Sequence, residues 1–547
     1  MNMSRIYREH RLLWLICILL VAFALRTYRF PEHPSVWADE ASAGYESFSL
    51  LNTGRDRWGV PWPVYFTGWG SGQNALHSYL SIPVVAFFGL SPLSVRLTTL
   101  FAGILTIALF YTAVQRALGE RTAFVSMAAL AISPWHIMSS RWGHDSNEFP
   151  FFLILGCYAV MRALSDRGVA RKIIAFSPWG ASLYSYAVGY MVVPAWLGLV
   201  TLFSLRTLAR NWRTWLIAFG IFGVTVFPIV LLLIKNFVVR QVLPIERFLP
   251  FGMPLLPFNR AAQVSSEVPQ RWIGTLFAIL SGFQEGDYHN ALVDMPPMLM
   301  VAVPLSLIGV AYWIKEFRRT GTPHIFLLWL AACVPMLMAF DFGVLRFSAL
   351  YLPMLAAAAD GLVRLTDSLP AQKSACLAIG ISGLAIFQLL IFVVDYFLIV
   401  PSRLDYQWKL SYDFETAIRK GVTLASPDED ILVTNAVDMP EMLTAFYLSY
   451  PPERYQREEQ HRQVGNIMFE TTAFGRFHFG KINYPNPSDS FVYVLLHDDG
   501  NPCAQPQPAW QTALWKVGRC GNSQDIPPEE QMMNDSRSFS AAGHPAF

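Results

Sequence analysis

The sequence predicts a polytopic α-helical membrane protein that carries a small α/β domain at its C-terminal end. Of its 547 residues, 53% are hydrophobic and only 15% are charged, whereas soluble domains carry about 25% charged residues. Apolar runs with short charged connections continue to about residue 400, after which the chain becomes polar. We therefore expect a membrane part at 1–400, a soluble domain at 401–522, and a tail at 523–547 whose composition predicts disorder.

The apolar runs predict about eleven membrane spans, because a helix needs about 20 apolar residues to cross a bilayer. Their approximate centres are Val21, Ile104, Ala131, Leu155, Ala181, Gly198, Val224, Leu305, Leu330, Leu355 and Ile386. The stretch Asn74–Gly89 is not predicted to span, because its uninterrupted apolar part is only about 13 residues long and contains Pro83. Its pattern is typical of an interfacial or re-entrant segment.

Basic residues in the connections predict which side of the membrane each connection occupies. Cytoplasmic connections collect Lys and Arg, and with eleven spans the basic residues fall on one side: Arg5, Arg8, Arg11, Arg116, Arg121, Arg162, Arg167, Arg171, Lys172, Arg206, Arg210, Arg213, Lys315, Arg318, Arg319, Arg364 and Lys373. The N-terminus is then cytoplasmic, and the first span is an uncleaved anchor. The connections at about 30–95, 140–147 and 236–296 and the C-terminal domain lie outside, and we expect a bacterial cytoplasmic membrane.

The cysteines fit this division of the chain. Four of them, Cys17, Cys157, Cys333 and Cys376, fall in predicted spans, where they are expected to act as small buried apolar residues. The other two, Cys503 and Cys520, fall in the exported domain. Because that compartment is oxidising, they are candidates for a disulfide.

Two acids, Asp39 and Glu40, stand directly after the first span, in the stretch PSVWADEASAGYESF. Neighbouring residues on a helix diverge by about 100°, so only one of the pair can face a given pocket. One hypothesis is that Asp39 caps an amphipathic helix at Ala41–Leu51 that lies on the membrane. The other is a catalytic carboxylate with a supporting neighbour.

The stretch SSRWGHDSNEF, residues 139–149, places Arg141, His144 and Asp145 within five residues on the predicted outer face. A cation, an imidazole and a carboxylate together can bind phosphate, hold a metal or transfer a proton. The alternative is structural, because Asp145 and Glu148 have the spacing of a capping box.

At these residues the chain resembles the membrane-bound GT-C glycosyltransferases of the protein O-mannosyltransferase and aminoarabinose-transferase type, a family 39-like group. The Asp-Glu pair is similar to the first-loop acidic motif, and SRWGHD is similar to the second-loop motif. Three more segments resemble family motifs in the same order: 89–119, 184–194 and 345–362. The resemblance covers the membrane part well and the C-terminal domain only in outline, and it implies a GT-C-like fold.

The resemblance implies a glycosyltransferase of the hexosyl or pentosyl class that uses a polyprenyl-phosphate-linked sugar. Topology gives an independent reason for such a donor, because nucleotide sugars are made in the cytoplasm and the acids are predicted to lie outside. By resemblance, Asp39 is the general base, Glu40 supports it, and Asp145 is the third catalytic candidate. The acceptor is a lipid, a glycan or a protein of the cell envelope. Neither an organic cofactor nor a nucleic-acid partner is expected.

Fixed positive charge is needed to stabilise the phosphate as it leaves, and Arg346 and Arg141 are our candidates. The alternative for Arg346 is an interfacial arginine paired with Asp341. Arg96, near the outer start of the second span, is a candidate headgroup contact.

The aromatic residues Tyr184 and Tyr186 are candidate donor contacts, and the alternative for them is an aromatic belt at the interface. For a divalent metal the tentative ligands are His144, Asp287 and His289. Because their spacing matches no defined metal signature, a solvated loop remains the alternative for the last two.

The C-terminal domain alternates between helical and strand patterns. SYDFETAIRKGV and PEMLTAFYLSY predict helices, while DILVTN and SFVYVLLH predict strands. No nucleotide-binding loop or nucleophile motif accompanies them, so the domain is expected either to support the membrane part or to recognise the acceptor.

A polytopic lipid or glycan transporter, or a flippase, is the competing class of function. Such proteins tend to have internal repeats and ionisable groups near the bilayer midplane. In this chain the acids gather at the predicted outer face, which favours the enzyme.

Overall fold

A computed structural model of the chain describes residues 10–165, 168–258, 274, 278, 292, 295–340, 343–409, 411–465, 468–480, 490–500, 502 and 508–521. The helices of the membrane part, in chain order, are α1 Arg11–Thr27, α2 Ala38–Thr53, α3 Leu76–Phe88, α4 Pro92–Leu118, α5 Glu120–Ala131, α6 Pro134–Ser139, α7 Phe149–Ser165, α8 Val169–Ile173, α9 Ser177–Ser182, α10 Gly189–Arg210, α11 Trp212–Leu233, α12 Ala302–Thr320, α13 Ile325–Ala332, α14 Val334–Ala339, α15 Ser348–Asp367 and α16 Ala371–Val394. A two-stranded sheet, β1 Tyr65–Phe66 and β2 Gln73–Asn74, lies between α2 and α3.

Within the described residues, six helices are long and apolar enough to cross a membrane, and a seventh span results if α12 and the segment α13–α14, bent by 113°, count as one. The predicted count of eleven spans is therefore not confirmed. Part of the difference arises where short helices occupy the place of a predicted span. Pro134 begins α6 where one uninterrupted span was predicted, and Pro178 lies in the short helix α9.

The stretch that was not predicted to span forms α3, a helix of 13 residues. At 1.5 Å per residue this helix is too short to cross about 30 Å of hydrocarbon. In the chain, α3 follows directly after β2.

The C-terminal part contains a seven-stranded mixed sheet with helices. Its elements are α17 Leu404–Lys409, α18 Phe414–Leu424, β3 Asp430–Val433, α19 Pro440–Tyr447, α20 Pro452–Glu458, β4 Gln460–Val464, β5 Met468–Phe474, β6 Phe477–Phe479, β7 Phe491–Leu496, β8 Trp510–Gln511 and β9 Trp515–Cys520. The strand order is β4-β5-β6-β3-β7-β9-β8, and β3 runs parallel to both β6 and β7. The four predicted elements are present as α18, β3, α19 and β7.

Helix α2 packs against the hydrophobic core of the C-terminal part. Its Ala41 and Tyr45 share one buried apolar cluster with Phe446 of α19. A Cβ atom on Gly44 would lie 2.7 Å from the Phe446 ring, so only glycine allows this approach. The Tyr45 hydroxyl donates to the carbonyl of Tyr450 at 2.8 Å. The helix that carries Asp39 is thus held by the C-terminal part.

The described cysteines agree only in part with the prediction of small buried apolar residues, since Cys157 and Cys333 are buried whereas Cys17 and Cys376 are exposed. Cys17, Cys157, Cys333 and Cys376 are free thiols, and Cys520 is disulfide-bonded. Cys503 and the predicted disordered tail, residues 523–547, lie outside the described residues.

Candidate active site

The first acid, Asp39, lies in the first turn of α2. The helix begins at Ala38, and the preceding Trp37 is extended and makes no side-chain capping bond. The hypothesis that Asp39 caps this helix is therefore wrong, since the residue lies inside it. A carboxylate in the first turn is stabilised by the partial positive charge of the helix N-terminus. The Asp39 side chain is 31% exposed, which leaves it accessible to a substrate.

His144 lies between the two acids that the sequence places in different loops. Its Nε2 atom is 3.6 Å from Oδ2 of Asp39, and its Nδ1 atom is 3.0 Å from Oδ1 of Asp145. Burial lowers the pKa of His144, but the carboxylates of Asp145 and Asp39 outweigh burial and raise that pKa to about 10. The imidazolium form therefore joins both acids at neutral pH.

Asp145 is fixed from two other elements. Its Oδ2 atom accepts the backbone N–H of Asn74 at 3.1 Å, and its carbonyl accepts the Ser185 hydroxyl at 2.7 Å. Strand β2 and the segment before α10 therefore set the position of this carboxylate, which is only 8% exposed.

The predicted capping box at Asp145 is not formed. Asp145–Asn147 is a short 3₁₀ helix, and His144 rather than Asp145 occupies its N-cap position, with its Nδ1 atom 3.2 Å from the backbone nitrogen of Ser146. Glu148 instead contacts His77, with 2.6 Å between Oε1 and Nδ1, and both side chains are buried. Neither His77 nor Asn74 belongs to a recognisable motif, which is why sequence reasoning missed both.

Glu40 faces away from Asp39 and is fully buried. Both of its oxygens accept from Arg96, at 2.7 Å from Nε and 2.5 Å from Nη2. The Oε1 atom also accepts the backbone N–H of Gly143 at 2.7 Å. Glu40 thus connects α2 to α4 and to Gly143 of the second loop.

Arg96 is surrounded by acceptors of the chain itself. Besides its two bonds to Glu40, its guanidinium donates to the carbonyls of Pro31, Pro34 and Ser35. All five N–H groups of the guanidinium are engaged, and the side chain is fully buried. The expectation that Arg96 contacts a lipid headgroup is therefore corrected, because no donor remains for a phosphate.

Arg141 is also buried and has a structural environment. Its Nη1 atom donates to the carbonyl of Arg26, and its Nη2 atom donates to the carbonyls of Tyr28 and His33, each at 2.8 Å. Its guanidinium lies 4.9 Å from the centre of the Phe397 ring. These contacts hold the segment between α1 and α2, so Arg141 is the weaker of the two arginines predicted to bind phosphate.

Arg346 differs from both of these arginines. It is partly buried, its guanidinium lies 6.0 Å from the centre of the Phe340 ring, and it has no ion pair with any residue that the structure describes. Asp341, its alternative partner, lies outside the described residues.

The two candidate tyrosines lie near the start of α10. The Tyr184 hydroxyl donates to the carbonyl of Thr225 at 2.6 Å, and the Tyr186 ring contacts the Phe149 ring edge-on, with 5.9 Å between their centres. Tyr184 therefore uses its hydroxyl proton to bind α11.

The tentative metal ligands do not come together in the described part of the chain. No group of three or more His, Cys, Asp or Glu side chains there is arranged to hold a metal ion. His144 faces a carboxylate with each of its nitrogens, while Asp287 and His289 lie outside the described residues.

A second group of carboxylates is buried where α2 meets α19. Burial raises the pKa values of Glu46 and Asp56, although Arg57 lies beside both. Burial also raises the pKa of Glu441 to about 7, against the opposing effects of its own backbone N–H, of the Trp69 indole and of Arg57. Nearby Asp438 raises that pKa further.

This environment makes stability depend on pH. Glu441 binds its proton more tightly in the folded chain than in the unfolded one, so its contribution is complete below about pH 4 and is lost as the pH rises through 7. We expect this carboxyl to lower the free energy of unfolding by about 2 kcal/mol between pH 5 and pH 8. The thermal unfolding midpoint in detergent should fall over that range, and Glu441→Gln should flatten the fall. Glu453→Gln, an exposed acid of α20, is the control, and equal slopes in all three proteins would contradict the expectation.

Comparison with known proteins gives matches at the levels of family and fold. The family model described as dolichyl-phosphate-mannose-protein mannosyltransferase matches residues 75–232. The crystal structure of ArnT from Cupriavidus metallidurans in the apo state superposes with a TM-score of 0.51 and 15% identity, over 81% of this chain and 85% of that one. The structure of the same protein bound to undecaprenyl phosphate gives 0.52 and 14% identity, over 95% and 99%. No curated protein matches.

These matches confirm the resemblance that the loop motifs indicated. At such low identity the structural likeness concerns the fold, and the predicted GT-C membrane fold is confirmed at that level. The family match begins at Ala75, after the first acids, and includes the whole second loop.

Proposed function

We infer that this membrane protein of the GT-C fold is a glycosyltransferase that moves a sugar from a polyprenyl-phosphate-linked donor to a hydroxyl acceptor. The observation that supports this most directly is the joining of Asp39 and Asp145 through His144, with Asp39 the more exposed acid. The family match and the undecaprenyl phosphate bound by ArnT favour a lipid-phosphate donor.

In the proposed reaction Asp39 accepts the proton of the acceptor hydroxyl as the acceptor oxygen bonds to the anomeric carbon of the sugar. The bond between that carbon and the phosphate oxygen breaks, and its electron pair leaves with the polyprenyl phosphate. His144 orients the Asp39 carboxylate, and Asp145 holds His144 in turn. The chain supplies the general base, Asp39, and the residues that orient its carboxylate, and no step is assigned to a metal.

The membrane topology, the acceptor and the sugar class are part of the same proposal. With eleven spans and a cytoplasmic N-terminus, the acid cluster and the C-terminal domain lie on the extracytoplasmic face, in a bacterial cytoplasmic membrane. Nucleotide sugars are absent there, which fits a donor delivered through the membrane. The acceptor is a lipid, glycan or protein on that face, and the sugar is a hexose or a pentose.

A radiolabelled polyprenyl-phosphate sugar tests this function on the purified protein in liposomes. Release of the label as free sugar, or its transfer to envelope acceptors, supports the transferase. Movement of the intact lipid between leaflets, with no cleavage of the sugar–phosphate bond, would instead identify a flippase and reject the proposal.

We propose that Arg346 binds the donor phosphate, because it is a partly buried cation in the segment 345–362 that resembles a motif of the family. Arg346→Ala should weaken donor binding by about 1.5–3 kcal/mol, the range for hydrogen bonds to a charged group, as measured by titration with polyprenyl phosphate. Arg121→Ala is the control, since Arg121 is exposed and pairs with Asp367 at 2.7 Å. If both variants bind like the wild type, Arg346 is an interfacial anchor.

A further inference from the structure

Arg57 makes a buried connection between three parts of the chain. Its Nη1 atom donates to the Ser42 hydroxyl of α2 at 2.5 Å and contacts the Met442 sulfur of α19 at 3.1 Å. Its backbone N–H donates to Oε2 of Glu46 at 2.9 Å, and the side chains of Arg57 and Glu46 are 3.5 Å apart. Arg57 itself belongs to the first outer loop, so loop, helix and C-terminal domain meet at one guanidinium.

The residues that Arg57 contacts on α2 lie on the face that carries Asp39. At about 100° per residue, Ser42 is one turn after Asp39, and Glu46, seven residues on, returns to nearly the same direction. Ser42 and Glu46 are fully buried, while Asp39 at the helix end is 31% exposed. Ser42 is further fixed by its hydroxyl, which donates to Gln73 at 2.9 Å. These contacts therefore contribute to setting the rotation of α2 about its axis, which directs Asp39, together with the bonds of Glu40 to Arg96 and Gly143.

The C-terminal domain contacts Arg57 and its neighbours through α19. The guanidinium lies 5.1 Å from the centre of the Trp69 ring, and the Trp69 indole N–H donates to Oε1 of Glu441 at 3.1 Å. Glu441 and Met442 are both buried. Because these side chains are buried, water cannot replace a hydrogen bond that is lost when Arg57 is changed. The packed elements must then shift to fill the space and to satisfy the polar groups.

We propose that Arg57 is a positioning residue for Asp39, and that the C-terminal domain takes part in the reaction by fixing the rotation of α2 through Arg57. The proposal rests on the proposed function, in which Asp39 is the base. In the proposed reaction, Arg57 contacts neither the sugar donor nor the acceptor. The domain thereby has a role in turnover that does not depend on acceptor recognition.

Three variants test this role in the full-length protein. Arg57→Lys keeps the charge but loses the planar fork of donors, and Ser42→Ala removes the hydrogen bond from Arg57 to the Ser42 hydroxyl but keeps the contacts between Arg57 and Glu46. Tyr45→Phe is the matched control, because it removes one hydrogen bond between α2 and the C-terminal part at a different place on the helix. We measure kcat and donor KM at equal amounts of folded protein, together with hydrogen exchange of the α2 amides.

We expect Arg57→Lys to lower kcat about 10-fold to 100-fold, the scale for a catalytic group displaced by about 1 Å, with donor KM unchanged. Exchange should rise in the first turns of α2, Ser42→Ala should show the same pattern more weakly, and Tyr45→Phe should keep its kcat. Normal kcat in both Arg57→Lys and Ser42→Ala would overturn the proposal. If the wild type transfers no sugar, the proposed function fails instead. In that case hydrogen exchange still tests the positioning role, because unchanged exchange of the α2 amides in Arg57→Lys and Ser42→Ala would overturn it. Should Arg57→Lys fail to fold, Ser42→Ala alone decides the outcome.

Discussion

Asp39→Asn is expected to lower turnover by about 10²–10⁴-fold, the contribution of a positioned general base. The replacement is nearly isosteric, and Asp39 is 31% exposed at the end of α2, so the protein should stay folded and bind donor lipid as before. An amide has no basic oxygen that could take the acceptor proton, although it can still contact His144. The measurement is the rate of sugar transfer at saturating donor, per folded protein.

Asp145→Asn is the informative companion to this variant. Asp145 contacts His144 and the Asn74 backbone, so its loss should misplace His144 and reduce turnover less than the loss of Asp39. A residue that only held the second loop would lose stability and keep its turnover. Near-normal turnover in Asp39→Asn, combined with abolished turnover in Asp145→Asn, would show that the base has been assigned to the wrong carboxylate.

Local signals in the sequence predicted much of the fold. A strongly amphipathic pattern located α18, and a run of buried apolar residues located β7, because these elements present a regular face to the core. Signals of length and hydropathy failed at α5–α6 and at α9, where apolar composition continues across breaks in the helix. Composition reports that a segment is apolar, but it does not report where the helix within it ends.

The candidate site was predictable in its acids and less so in its arginines. Asp39 and Asp145 were placed on one face by the order of the spans, and the structure brings them together through His144. Whether an arginine is available to a ligand depends on the carbonyl oxygens around it, which come from distant segments in the cases of Arg96 and Arg141. Arg57 carried no motif at all, since its contacts arise only when α2 and α19 pack.

The buried pair of Glu40 and Arg96 should have the largest effect on stability. Removing one partner of a buried ion pair leaves the other charge without compensation, which costs about 3–5 kcal/mol. Glu40→Gln is therefore expected to lower the free energy of unfolding by that amount, because both carboxylate oxygens accept from Arg96 and one also accepts from Gly143. Chemical unfolding of the detergent-solubilised protein measures the loss.

The buried pair of Glu40 and Arg96 differs from an ordinary surface ion pair in the solvent exposure of its side chains. Asp367 pairs with Arg121 at 2.7 Å, but the two side chains are 53% and 61% exposed, so Asp367→Asn should change stability by less than about 0.5 kcal/mol. The folded fraction of Glu40→Gln should also turn over more slowly, because Gly143 adjoins His144 and loses its tie to the first loop. If Glu40→Gln is as stable as Asp367→Asn, Glu40 does not secure the second loop, and its place beside Asp39 needs another explanation.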